Sequence, residues 1–76
     1  MGGVLRKRSF SIAGHRTSVA LEPEFWATLE NLALAKGMRL SALVARIDAS
    51  RDKRPLASAL RLMALDFAQK IAEVNS

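Results

Sequence analysis

The chain has 76 residues with no cysteine and one histidine, so disulfides are excluded and a zinc site would need carboxylates for most of its ligands, an unusual donor set for that metal. At this size one core barely offsets conformational entropy, and with 50% of residues hydrophobic the remaining staple is association with a second chain. The net charge of +5 points to a polyanionic partner, of which nucleic acid is the commonest.

The charge is unevenly placed. Residues 1–21 hold Arg6, Lys7, Arg8 and Arg16 and no acid. Residues 1–8 lack periodicity and read as a flexible basic arm, ahead of a single domain over residues 9–76. From Ser9 the pattern has a period of two. Phe10 and Ile12 alternate with Ser9 and Ser11, and Thr17, Val19 and Leu21 alternate with Arg16, Ser18 and Ala20. Ala13-Gly14-His15 interrupts the run, so a strand is predicted over residues 15–21, with residues 9–13 either its kinked continuation or a separate strand.

Pro23 suits a first helical position, and Glu22 and Glu24 suit the positive end of a helix dipole. A helix is predicted over 23–36, with Phe25, Leu29, Leu32 and Ala33 as its apolar stripe, Trp26 beside it, and Gly37 closing it. A second helix is predicted over 40–51 from Leu40, Leu43, Val44 and Ile47; it is ended by the charged run at 51–54, read as a solvated loop, and by Pro55. A third is predicted over 56–73, where Leu60, Ala64, Phe67 and Ile71 form one stripe while Leu62 and Leu65 lie off it. A helix apolar on two sides has two neighbours, which again favours a dimer.

The fold class expected is mainly α with one N-terminal strand. A lone strand cannot satisfy its own backbone groups. Two pairings are open: an intrachain hairpin of Phe10–Ile12 against Thr17–Val19, or an antiparallel ribbon with the same strand of a second subunit.

The stretch from Arg16 to Glu24, followed by Leu29, Leu32-Ala33, Lys36-Gly37 and Leu43-Val44, resembles the ribbon-helix-helix superfamily of Arc and the methionine repressor. The segments GHRTSVALEPEFW, SALVARID and LASALRL resemble a bacterial subgroup known as ribbon-helix-helix domain proteins, and the likeness runs over about residues 9–68. It implies a homodimer with an interchain antiparallel β-ribbon, here with an additional C-terminal helix, binding double-stranded DNA through the major groove. By parity the outward residues are Arg16, Ser18 and Ala20. Arg16 has the donor fork for guanine, the Ser18 hydroxyl donates or accepts, and Ala20 offers a methyl to thymine. Superfamily members usually carry a polar residue where Ala20 stands, which makes His15 or Thr17 alternative readers.

The resemblance also implies a phosphate clamp at the start of the second helix, where Arg39, Leu40 and Ser41 stand. Arg6, Lys7, Arg8 and His15 complete the expected phosphate-contacting set. No cofactor or metal is implied. With one histidine, no cysteine and no glycine-rich phosphate loop, no enzymatic constellation is found. A protein-interaction role on the same scaffold, as antitoxin or adaptor with the C-terminal helix holding a partner, is the alternative. No apolar run is long enough to cross a membrane and the N-terminus lacks a signal-peptide core, so a cytoplasmic protein is expected.

Overall fold

Polar–apolar alternation on both sides of Ala13-Gly14 folds the N-terminal segment back on itself. In the computed structural model, which describes residues 4–75, strand β1 (Arg6–Ile12) pairs antiparallel with strand β2 (His15–Leu21). The register runs from Arg6 opposite Leu21 through Ser9 opposite Ser18 to Ile12 opposite His15. That leaves Ala13 and Gly14 as a two-residue loop, with φ of 52° and 80°. Positive φ at both central residues is what a type I′ hairpin turn requires, because its twist matches that of the strands.

Of the two pairings open from the sequence, this is the intrachain one, and the chain has two strands where one was expected. The basic segment also differs from the flexible arm expected over residues 1–8: Arg6, Lys7 and Arg8 open β1, while positions 1–3 lie outside the described residues. The physical reason is a set of side-chain contacts. The Trp26 indole Nε1–H donates to the Arg6 carbonyl at 2.8 Å. The Arg8 guanidinium lies 5.3 Å from the centre of the Trp26 ring and pairs with Glu30 at 2.8 Å. Phe10 packs on the same ring, with centroids 5.9 Å apart.

Three helices follow: α1 (Pro23–Ala35), α2 (Leu40–Ser50) and α3 (Leu56–Asn75). Pro23 sits in the first turn of α1, where its missing N–H costs nothing. The helix ends in a Schellman motif: Met38 N–H donates to the Ala33 carbonyl and Gly37 N–H to that of Leu34, both at 3.0 Å, with Gly37 at φ 68°. After α2, Arg51 organises the turn by donating from Nε to Asp48 at 2.7 Å and from its guanidinium to the Arg54 carbonyl at 2.7 Å.

The core lies between the hairpin and the helices. Ile12, Val19 and Leu21 meet Trp26, Leu29, Leu32 and Ala33 of α1, Leu43, Val44 and Ile47 of α2, and Leu60 and Ala64 of α3. Leu21, Leu29, Leu43, Leu60 and Val44 are the largest fully buried side chains, each worth about 1.5–3 kcal/mol of transfer free energy. On α1 it is Trp26 that is buried, whereas Phe25 is half-buried beneath the Arg61 guanidinium. Along α3 the stripe begun by Leu60 and Ala64 emerges into solvent at Ile71, and Leu62 and Leu65 are exposed on another side.

Candidate nucleic-acid interface

Directly opposed residues of an antiparallel pair share a face, and faces alternate along each strand. Since Val19 and Leu21 are buried with Ile12, and Phe10 packs against them, the register assigns Lys7 and Ala20, Ser9 and Ser18, and Ser11 and Arg16 to the other face. Arg16, Ser18 and Ala20 are thus brought together on the outer side of the hairpin. Arg16 and Ser18 are exposed, and Ala20 is partly so.

The alternation that buries Val19 and Leu21 is therefore the same one that presents these three residues. Beside them stand Lys7, Ser9 and Ser11, and the face carries no acid. Ser9 and Ser11 were not anticipated as site residues. The signal was present: a two-residue turn at Ala13-Gly14 sets Ser9 against Ser18 and Ser11 against Arg16. The Ser9 and Ser18 hydroxyls are 2.9 Å apart, with either able to donate. They leave one hydroxyl hydrogen and free lone pairs for a ligand.

The cations divide into two groups. Among the described residues, no ion pair or side-chain hydrogen bond engages Lys7, Arg16 or Arg39. Arg8 is committed to Glu30 and the Trp26 ring, and Arg6 shares its side of the strand. His15 lies opposite Ile12 at the turn and is exposed.

At the start of α2, Arg39 is the N-cap residue in an extended conformation, and no side chain caps the helix. Its carbonyl accepts from Leu43 N–H at 3.0 Å. The preceding N–H groups of the first turn, those of Leu40 and Ser41 among them, point out of the helix end as an α-helix requires. Arg39 and Ser41 are exposed and Leu40 is half-buried.

Farther along, the Glu22 carboxylate accepts from Arg61 Nε at 3.0 Å. The Arg61 hydrogen bond holds the Glu22 pKa below its ordinary value of 4.5. Among the described residues no group of three or more His, Cys, Asp or Glu side chains could hold a metal ion. No helix among them is long and apolar enough to cross a membrane.

The family model of the ribbon-helix-helix domain matches residues 5–68, which takes in the hairpin, α1, α2 and the first part of α3. The chain belongs to the ribbon-helix-helix family. Ribbon-helix-helix domains generally serve DNA-binding regulators or antitoxins, typically dimerise, and are typically non-enzymatic. The chain is also similar to a solved structure, an uncharacterized protein from Bordetella pertussis Tohama I, at 31% identity and a TM-score of 0.82. The match covers 99% of this chain and 64% of that one, so this ribbon-helix-helix chain spans less than two thirds of its structural neighbour. No curated protein matches it.

Proposed function

We propose that this protein is a sequence-specific DNA-binding transcriptional regulator of the bacterial cytoplasm, working as a homodimer that lays its β-ribbon in the major groove of double-stranded DNA. The observation that carries this reading is the make-up of the outer hairpin face. Arg16, Ser18 and Ala20 share one exposed side with Lys7, Ser9 and Ser11, and both cations there lack a protein partner among the described residues. A face that only had to be wet would not need two unpaired cations and no acid.

In this reading Arg16 forks onto guanine O6 and N7, the Ser18 hydroxyl bonds a base edge, and Ala20 meets a thymine methyl. Lys7, Arg39 and the free N–H groups of Leu40 and Ser41 take phosphates. Arg6, His15 and Arg8 border the same surface, with Arg8 reaching a phosphate only in exchange for Glu30. Selection from random-sequence duplexes at physiological salt tests the proposal. The expected result is an enriched motif with twofold symmetry, and recovery of all sequences alike contradicts it.

A protein-interaction role as antitoxin or adaptor is the second reading. It is favoured by one observation, the exposure of Leu62, Leu65, Ile71 and Val74 along α3. A second polypeptide that co-purifies in fixed ratio, and is lost from Leu62→Glu, would move the account to that reading.

A further inference from the structure

We infer that two copies join along the free edge of β2, with Ser18 at the twofold axis, so that the surface offered to DNA is a four-stranded sheet in the order β1-β2-β2-β1. The inference rests on the homodimer reading above and adds to it which edge pairs, in what register, and where β1 then lies.

The hairpin decides which backbone groups are free. A two-residue turn is closed by a hydrogen-bonded pair, here Ile12 and His15, and hydrogen-bonded pairs then alternate with non-bonded ones along the ladder. Ser9 and Ser18 fall in the non-bonded class, where side chains approach most closely, and their hydroxyls do meet at 2.9 Å. It follows that the N–H and C=O groups of Arg16, Ser18 and Ala20 point away from β1. β2 has β1 as its sole neighbour in the sheet, and among the described residues no other backbone group bonds to those three. The equivalent free groups on β1 belong to Lys7, Ser9 and Ser11.

The two edges differ in charge. β1 begins with three successive cations, so pairing β1 with its copy would gather six in one ribbon; charged side chains on an edge strand are a common device against such pairing. β2 contributes one arginine per copy. Antiparallel self-pairing of its edge must match Arg16, Ser18 and Ala20 with one another. Centring on Arg16 sets two arginines face to face, whereas centring on Ser18 engages all three positions and sets Arg16 opposite Ala20 of the second copy. The two arginines are then about 13 Å apart along the strand.

Sheet width gives β1 its place on DNA. Four strands spaced about 4.8 Å apart put the outer strand axes about 14 Å from one another, whereas the major groove is about 12 Å wide. The paired β2 strands occupy the groove and each β1 lies over a wall. Lys7, Ser9 and Ser11 accordingly face sugar and phosphate while Arg16, Ser18 and Ala20 face bases.

The chain has no cysteine, so engineered thiols report cleanly. Oxidised Ser18→Cys is expected to form a covalent dimer, because a hydrogen-bonded antiparallel pair has its Cα atoms about 5.5 Å apart, within disulfide reach. Ser9→Cys is expected to stay uncrosslinked. In the double variant Ser9→Cys/Ser18→Cys an intrachain disulfide locks β1 onto β2. Sedimentation is expected to give twice the monomer mass both oxidised and reduced. A locked protein that is monomeric while its reduced form is dimeric would mean that β1 must leave for two copies to pair, and overturns the four-stranded sheet. Cross-linking through Ser9→Cys in place of Ser18→Cys, or a monomeric parent protein, overturns it as well. None of these readouts uses DNA, so a stable dimer without sequence preference would sink the regulator reading and leave the sheet standing.

Discussion

Replacing Trp26 by phenylalanine tests how the hairpin is fastened to α1. The change removes the indole N–H bond to the Arg6 carbonyl at 2.8 Å, worth about 1 kcal/mol net. The released carbonyl belongs to an exposed strand residue and can turn to water, so the full penalty of a buried orphan does not apply. Loss of the second ring from a site only 4% exposed adds about 1 kcal/mol of transfer and cavity cost. A smaller ring under Arg8, whose guanidinium sits 5.3 Å from the ring centre, costs a further few tenths, about 0.3 kcal/mol. The expected loss is about 2 kcal/mol. Because Trp26 is the one tryptophan in the chain, urea unfolding is followed by far-ultraviolet circular dichroism. In a cycle with Arg8→Ala the coupling should be about 0.5 kcal/mol. A loss under about 0.5 kcal/mol, set against the net worth of one hydrogen bond, would refute the claim that the indole holds β1 in place.

Ala13 occupies the left-handed region at φ 52°, where a Cβ is costly; Ala13→Asn should therefore raise stability by about 1 kcal/mol, visible as a higher melting temperature. No gain would mean that the turn does not have this geometry in solution. Gly37→Ala should lower stability by about 1 kcal/mol. An added Cβ meets nothing within 4 Å there, so the cost is conformational, and an unchanged urea midpoint would count against the Schellman cap. Arg61 lowers the Glu22 pKa in the folded chain, so this pair stabilises the fold above the unfolded value of 4.5 and its contribution is lost as pH falls through the lower folded value. The stability difference between parent and Arg61→Met should be constant above that range and shrink below it; a difference that grows on acidification would reverse the assignment.

The helical body was legible because its cues are local and redundant. Pro23 opens α1, Gly37 closes it, Pro55 precedes α3, and the stripes at Leu29, Leu32 and Ala33 or at Leu43, Val44 and Ile47 carry the helical period. β2 was legible for the same reason, with apolar residues at every second position into Leu21. β1 was obscured because two of its core-side positions are Arg6 and Arg8. Their parity shows only once Trp26 is in place to receive a carbonyl bond and a guanidinium. The turn lacks the usual Asn-Gly pair, since Ala13 stands where asparagine is favoured. Likewise Phe25 and Trp26 are both compatible with the α1 stripe by spacing; contact with Arg6, Arg8 and Phe10 settles that Trp26 turns inward. On the candidate interface, Arg16, Ser18 and Ala20 could be placed on one face from the strand period alone. Ser9 and Ser11 required the hairpin register.

Base reading by the outer hairpin face is the central claim, and Arg16→Ala tests it most directly. Binding of parent and variant is measured on the selected site and on a scrambled duplex across a range of salt concentrations. The account predicts a loss of about 1–3 kcal/mol on the selected site, relaxed preference at the base Arg16 contacts, and a smaller loss on scrambled DNA. Lys7→Ala should instead weaken both duplexes alike and flatten the salt dependence by about 0.9 for the one phosphate contact removed. Equal losses on both duplexes for Arg16→Ala would show that the face attracts DNA without reading it, and would contradict the account.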